Sequence, residues 1–444
     1  LLEFFSSGLV SLWFNAAGLP EPLHLVQTVF TQDAPWMALP GDPDPFAQAT
    51  LQQYLKQLAA AGLVAEGQGV WLQSGPTVLA SNQGTTPLPA ASLTKVATTL
   101  VALQTWGPQH QFETLISATG PIQNGVLQGD LVVQGKGDPL FVWEEAIALG
   151  NQLNQMGITR VTGNLIVTGS FSMNFEPEPG KSGELLKQAL NADAWSGDAE
   201  YQYQQMPKGT ARPRVAIAGS VQVVNFGTAL LPQQTLLLRH HSLPLSDILK
   251  LMNLYSNNVI AESLAGSLGG AQVMAQQASV IAGFPIQEIV LSNGSGLGVE
   301  NRISPRAVCM MFAAVQRYLQ PYNLTIADLF PLSGTDLGTI DGRKIPTASV
   351  VKTGTLNDVS ALAGVLPTRD RGLLWFTIIN RGTDLDGLRA GQDRLLQALT
   401  SQWGVPASLP IAVTPTTDRR TLTAGQDATR RSEIVKTAVE VNTF

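Results

Sequence analysis

Pro87-Leu-Pro-Ala-Ala-Ser-Leu-Thr-Lys-Val-Ala-Thr-Thr-Leu100 is the stretch whose reading decides the fold. Ser92 and Lys95 open an apolar run in which Leu93, Val96, Ala97, Leu100 and Val101 fall at i, i+3, i+4, i+7 and i+8. That spacing makes one buried face of a helix. Pro87 and Pro89 hold the entering chain extended, and Gly107-Pro108 after Trp106 stops the helix. Residues three apart are neighbours on a helix. The Ser92 hydroxyl and the Lys95 amine therefore meet within the first turn, at the positive end of the helix dipole. A serine nucleophile whose proton passes to a lysine fits this pair. An N-capping serine beside a solvated lysine fits the same four residues, so Ser-x-x-Lys alone does not choose.

Two more polar motifs follow. Tyr255-Ser256-Asn257-Asn258 lies between helical patterns at 244–254 and 258–268. Its Ser256-x-Asn258 also suits a plain helix cap. Val351-Lys-Thr-Gly-Thr-Leu356 sets Lys352 and Gly354 inside an apolar strand. Glycine there marks a close approach of ligand or backbone. A bulge with a snorkelling lysine is the other reading.

The remaining pattern frames these motifs. A helix is expected over 45–63, a hairpin over 69–80 turning at Ser74-Gly75-Pro76, then the Ser92 helix. From about 114 to 224 the character changes. Strands at 129–134 and 160–168 flank a helix at 141–156, and 176–214 is rich in Gly, Pro, Gln and Asp with weak periodicity. Regular structure resumes at 236. Strands are expected at 350–356, 361–366 and 373–379, the last wholly apolar and therefore central, with a closing helix at 388–403. Beyond 410 the chain is polar and Thr-rich, and disorder is expected. The chain thus divides into an N-terminal segment (1–44), a discontinuous domain (45–115 and 236–405), an insert (116–235) and a tail (410–444).

At 444 residues there is room for two or three domains. Charged residues are 14%, low against an average of about 25%, and the net charge of −6 gives no electrostatic reason for a nucleic-acid partner. Cys309 is the single cysteine, so no intramolecular disulfide forms, and cysteine leaves the compartment open. His24, His110, His240 and His241 stand in no nucleophile or metal motif, and Gly-x-Ser-x-Gly and Walker A motifs are missing. No metal and no cofactor are expected. Residues 1–20 are rich in Leu, Phe and Trp but interrupted by polar residues, and no Lys or Arg precedes Lys56. A packed amphipathic helix is expected there. Peripheral membrane contact or a residual targeting segment is the alternative, and the lack of an initiating Met fits a removed leader.

Taken in order, Ser-x-x-Lys, Ser-x-Asn and Lys-Thr-Gly resemble the motif set of penicillin-binding proteins and serine β-lactamases. Ser256 lies 161 residues after Lys95 (256 − 95), and Lys352 lies 96 after Ser256 (352 − 256). A minimal β-lactamase has no room for such an insert. Phe112-Glu-Thr114, Gly125-Val-Leu-Gln-Gly-Asp-Leu131, Gly135-Lys-Gly-Asp-Pro139, Asn293-Gly-Ser-Gly-Leu297 and Asn301-Arg-Ile-Ser-Pro305 resemble the penicillin-binding D-alanyl-D-alanine carboxypeptidases/endopeptidases of the class C low-molecular-mass type, peptidase family S13. The resemblance runs from about residue 45 to 403.

It implies an α/β (α+β) fold: a β-lactamase/transpeptidase-like domain with an antiparallel sheet and a helical subdomain, plus an inserted mainly β domain. It implies a serine-type D-Ala-D-Ala carboxypeptidase of the periplasm or cell envelope. Its partners would be peptidoglycan stem peptides, with β-lactams as inhibitors. Ser92 would be the nucleophile and Lys95 its base, kept neutral by burial and by the charge of Lys352. Ser256 would relay a proton to the leaving amine, and Asn258 would hold the substrate amide. The N–H groups of Ser92 and Thr355 would form the oxyanion hole. Lys352 and Thr353, with Gly354 and Thr355, would bind the terminal carboxylate. Asn293 stands where the family has Asp, and the insert is shorter than in the largest members. Asp193 and Asp198 flank Trp195 in what reads as a solvated turn. The family instead uses an acidic residue of the insert to bind the stem's free amino group, and Asp198 is the better match. A β-lactamase or esterase, and a non-catalytic penicillin-recognising sensor, are the alternatives. The insert argues against the first, and the lack of a clear spanning helix against the second.

Overall fold

The computed structural model describes residues 43–224, 233–416 and 422–435. Segment 1–42, on which the amphipathic-helix and membrane-contact expectations fall, lies outside the described residues.

Asp44 caps helix α1 (Pro45–Ala60), accepting from the Ala47 N–H, and Leu51, Tyr54 and Leu58 face inward one turn apart. Strands β1 (Gln68–Ser74) and β2 (Thr77–Asn82) form the hairpin, and α2 (Thr94–Trp106) follows. Ten consecutive residues of α2, Thr94 to Leu103, are buried. The apolar face read from the sequence is therefore only part of the burial: α2 is a core helix surrounded on all sides.

The next elements are β3 (Glu113–Ala118), β4 (Leu131–Lys136), α3 (Trp143–Gln155), β5 (Leu165–Ser170), α4 (Pro179–Ala189), α5 (Gly197–Gln205), β6 (Val221–Val224) and β7 (Thr235–His241). Helices α6 (Leu245–Tyr255), α7 (Asn258–Ser267), α8 (Ala271–Ala282) and α9 (Pro305–Leu319) come next, then β8 (Val350–Leu356), β9 (Val359–Thr368), β10 (Gly372–Arg381), α10 (Leu385–Trp403) and β11 (Ser432–Ile434).

Two sheets organise the chain. The first runs β8-β9-β10-β1-β2, antiparallel throughout, with the apolar strand β10 at its centre. Strand side chains alternate between faces. Ala361, Ala363 and Val365 of β9 join the core with α2 and α9, while Leu362 and Leu366 pack with α1 and α10. Each fully buried Leu, Val or Phe contributes roughly 1.5–3 kcal/mol, so both helical layers hold the sheet firmly. Cys309 of α9 is buried against Thr377, and burial pushes its thiol up to about 12. It is an inert core residue.

The second sheet runs β6-β5-β4-β3-β7-β11 and mixes parallel and antiparallel pairs. Its strands β3 to β7 span 113 to 241, slightly wider than the expected insert of 116–235, and β11 joins them from the C-terminal segment. A small four-stranded sheet and helices α3, α4 and α5 pack with it. Helices α4 and α5 occupy the stretch whose periodicity was too weak to read. Side-chain caps start both: Glu178 accepts from Gly180 and Lys181, and Ser196 accepts from Ala199.

Disorder of the tail from 410 is corrected for the described part. Val413 and Ala428 are buried, and β11 pairs with β7 through Leu238↔Ile434 and His240↔Ser432. Arg431 reaches the buried Glu145 of α3 at 2.5 Å and the His241 carbonyl at 2.7 Å. Charge pairing and strand pairing, rather than an apolar run, order this segment.

Candidate active site

Three segments distant in sequence meet at a cleft of about 410 Å³ that includes Ser92, Ser256, Asn258, Thr353, Gly354 and Thr355. The first is the entry to α2. Ala91–Leu93 forms a single 3-10 turn, with Ala91 at φ 47°, a strained conformation for a residue with a Cβ. Ser92 opens on the cleft and Lys95 lies beneath it, wholly buried. Lys95 Nζ donates to Ser92 Oγ at 3.0 Å, to Asn258 Oδ1 at 2.8 Å and to the Ser295 carbonyl at 2.8 Å. A solvated lysine is thereby excluded. Burial lowers the Lys95 amine from 10.5 to about 7, opposed by the negative charge of Glu262.

The second segment is the α6–α7 turn. Ser256 ends α6 in the left-handed conformation, at φ 54°. Asn257 does the capping, accepting from the Ile260 N–H at 3.0 Å. Asn258 is thus released from capping. Its Oδ1 is taken by Lys95, and its NH2 end is the one left for a ligand.

The third segment is β8. Lys352 is fully buried, and its Nζ donates to Ser256 Oγ at 2.9 Å and to the Thr353 carbonyl at 2.9 Å. Burial, and then the charge of Lys95, push its amine well below 10.5. Burial, expected from the sequence, is the dominant cause at Lys95, and the mutual repulsion of the two buried lysines disfavours charging both. A bulge is excluded, because β8 pairs with β9 in one register from Val350↔Val365 to Leu356↔Val359. Glycine is needed at 354 for close approach: a Cβ there would lie 3.0 Å from the Ala90 carbonyl oxygen and 3.1 Å from Ser92 N. Strand β8 therefore passes directly against the backbone of the Ser92 turn. The Thr353 hydroxyl donates to Thr339 Oγ1 at 2.8 Å, and Thr355 Oγ1 accepts from Arg389 at 3.2 Å.

Sequence reasoning missed Glu262, Ser295, Thr339, Asp341 and Arg389. Glu262 accepts from the N–H groups of Gly294 and Ser295, each at 3.0 Å, and so fixes the loop whose carbonyl holds Lys95. The only available signal was the 293–297 turn. Gly296, at φ 84°, packs so closely that a Cβ would come within 1.8 Å of the Ala91 carbonyl oxygen. Asn293 organises that turn with both ends of its amide, accepting from Gly296 N at 2.8 Å and donating to the Leu297 carbonyl at 2.6 Å. A carboxylate could not make the second bond.

Asp193 and Asp198 do not line the cleft. Asp193 sits in a 3-10 turn capped by Asn191, and Asp198 in the first turn of α5. Gln202, one turn further along α5, lines a groove of about 770 Å³ with Tyr255 and Asn257, the neighbours of Ser256. Among the described residues, no group of three His, Cys, Asp or Glu side chains comes together to hold a metal ion.

A sequence model described as the D-Ala-D-Ala carboxypeptidase 3 (S13) family matches residues 47–192 and 199–402. The D-alanyl-D-alanine carboxypeptidase DacB of Haemophilus influenzae is 27% identical over 394 residues, covering 66% of this chain and 80% of its own. A carboxypeptidase DacB of Mycolicibacterium smegmatis is 27% identical over 358 residues, covering 71% and 76%. Among solved structures, a predatory endopeptidase of Bdellovibrio bacteriovorus superposes with a TM-score of 0.64 at 22% identity, over 79% of this chain and 98% of that one. Penicillin binding protein 4 of Haemophilus influenzae superposes with a TM-score of 0.59 at 20% identity, over 78% and 98%.

Proposed function

Because the chain belongs to the D-Ala-D-Ala carboxypeptidase 3 (S13) family, it is a serine peptidase acting on D-Ala-D-Ala termini, and we propose that Ser92 is its nucleophile. The observation that carries this assignment is the 3.0 Å bond between Lys95 Nζ and Ser92 Oγ, with the amine lowered to about 7. A serine hydroxyl needs a base to become a competent nucleophile, and a base near the working pH is the effective one.

Neutral Lys95 takes the Ser92 proton as Oγ bonds to the carbonyl carbon of the penultimate D-Ala. The oxyanion forms against the N–H groups of Ser92 and Thr355. The closeness of Gly354 to Ser92 N supports that pairing. Ser256 relays the proton taken by Lys95 to the leaving nitrogen as the C–N bond breaks, so that its own hydroxyl is restored and Lys95 is neutral again, and Lys352 orients that hydroxyl. Terminal D-Ala departs and leaves an ester on Ser92. Water then cleaves the ester, or an amine accepts the acyl group. Asn258 steadies the substrate amide. Lys352, Thr353, Gly354 and Thr355 receive the terminal carboxylate, whose charge favours the protonated form of Lys352. β-Lactams acylate the same serine.

The catalytic unit in this reading is 45–115 with 236–405, carrying 116–235 as an insert. The substrate places the protein in the cell envelope or periplasm. No helix among the described residues is long and apolar enough to cross a membrane. Turnover of a D-Ala-D-Ala peptide beside turnover of a β-lactam tests the reading. The carboxypeptidase cleaves the peptide and is trapped by the β-lactam, a β-lactamase does the reverse, and a sensor turns over neither.

Asp198 is proposed to bind the free amino group of the stem's diamino acid. Its place on α5, one turn from the groove beside Ser256, supports the role. Wild type then prefers a diamino stem over its N-acetylated analogue. Asp198→Asn erases that preference and leaves penicillin acylation intact. A variant that keeps the preference removes the role.

A further inference from the structure

Two arginines, Arg343 and Arg389, line the Ser92 cleft. Arg343 is committed to the protein. Its Nη2 reaches Asp393 Oδ1 at 2.7 Å and Gln392 Oε1 at 3.1 Å, and its Nε reaches Asp393 at 3.1 Å. The pair is nearly buried. Arg389 is held differently. Its Nη1 meets only Asp386 Oδ1, at 3.0 Å, and Asp386 is 93% exposed. Such solvent-exposed pairs hold a side chain weakly. Its Nη2 donates to Thr355 Oγ1 at 3.2 Å. The backbone of Arg389 is anchored, because its carbonyl accepts from Arg343 Nη2 at 3.4 Å. An anchored stem on α10 thus carries a weakly held cationic head over the end of β8.

We infer that Arg389 is a substrate-binding residue that, together with the Thr355 hydroxyl, receives the terminal carboxylate at the solvent side of the cleft. The inference rests on the peptidase reading above and adds a residue that none of the three motifs contains. Lys352 alone is a poor anchor for an anion. It is buried and holds two protein acceptors, and a second buried lysine disfavours its charge. A guanidinium stays charged at any relevant pH, and its planar fork matches the two oxygens of a carboxylate. The Thr353 hydroxyl is turned to Thr339, which leaves Thr355 as the hydroxyl facing the guanidinium. The plain alternative is a staple: Arg389 ties α10 to β8 and touches no substrate.

The experiment compares a peptide ending in D-Ala-D-Ala with the same peptide as its C-terminal amide, in wild type, Arg389→Gln and Arg389→Lys. Acylation by penicillin G and by its carboxyl methyl ester is measured on the same three proteins. Loss of a charge-assisted hydrogen bond predicts that Arg389→Gln lowers the acid-to-amide ratio of kcat/KM by about 10- to 100-fold. The acid-to-ester ratio for penicillin falls in parallel, and Arg389→Lys recovers part of both. A staple lowers acid and amide alike and leaves the ratios unchanged, which overturns the inference. If wild type cleaves no peptide but is acylated by penicillin, the peptidase reading fails, and the penicillin ratio still decides the role of Arg389.

Discussion

Lys95 donates to the carbonyl oxygen of Ser295 at 2.8 Å, across 200 positions of sequence. With Ser92 and Asn258 as its other acceptors, the amine is solvated entirely by protein. Those bonds and the charge of Glu262 favour the ammonium, while burial opposes it, and burial prevails. The amine is left near pH 7, where it can both take and return a proton.

The pH dependence follows in sign. Only neutral Lys95 accepts the Ser92 proton, so acylation by a β-lactam rises with pH through a midpoint near 7 and levels off above about 8. A rise continuing past pH 9 would show an unperturbed lysine. Stability moves with it. Between about 7 and 10.5 the unfolded chain holds a proton on Lys95 that the native protein lacks, so native stability increases with pH across that window. In Lys95→Met, denaturant titrations at pH 7 and pH 10 should lose that increment.

Lys352→Met keeps the bulk of the side chain and removes its amine. One lost charge-assisted bond predicts that kcat/KM on a D-Ala-D-Ala peptide falls at least about 10- to 100-fold. Because Lys352 is fully buried, the apolar replacement leaves the thermal midpoint unchanged or higher. Unchanged kinetics would remove Lys352 from the substrate site.

Gly354→Ala pushes a methyl against the Ala90 carbonyl oxygen at 3.0 Å and Ser92 N at 3.1 Å. Overpacking of this kind costs about 1–3 kcal/mol. The displacement falls on the nucleophile's own backbone, so acylation should slow far more than stability declines. Stopped-flow acylation beside thermal unfolding separates the two effects. Equal, small changes would mean that β8 and the Ser92 turn yield freely.

Arg431→Ala removes the arginine from the buried Glu145, which keeps only the Val142 N–H on Oε2 and His240 Nε2 at 3.6 Å from Oε1. Breaking one side of a buried pair costs about 3–5 kcal/mol. Arg430→Ala, next door at a side chain 85% exposed, serves as the control and should change little. Denaturant unfolding of both variants checks whether the tail is part of the folded body, and equal effects would deny it.

The legible parts of the fold are those with local signals. The start of α2, the α6–α7 turn and β8 each carry a short motif in an apolar frame, and β10 announces itself by an apolar run interrupted only by Thr377. Helices α4 and α5 were hidden because Gly, Gln and Asp dilute their periodicity. Helix α9 was overlooked although Ser304 caps it, Pro305 opens it, and Arg306, Ala313 and Arg317 mark a less buried face. Glu262 and Arg389 carry no local signal at all, and Ser295 lies in the Gly-rich 293–297 turn without its carbonyl being marked as the acceptor for Lys95. Each acts through a contact made only once the chain has folded. The ordered tail belongs to the same class, since Arg431 is an ordinary polar-tail residue until Glu145 is opposite it.

The central claim is that Ser92 is the nucleophile. Intact-protein mass spectrometry after exposure to penicillin, followed by peptide mapping, tests it most directly. The account predicts one covalent adduct on wild type, mapped to Ser92, and none on Ser92→Ala. An adduct that persists in Ser92→Ala, or that maps to another residue, would contradict it.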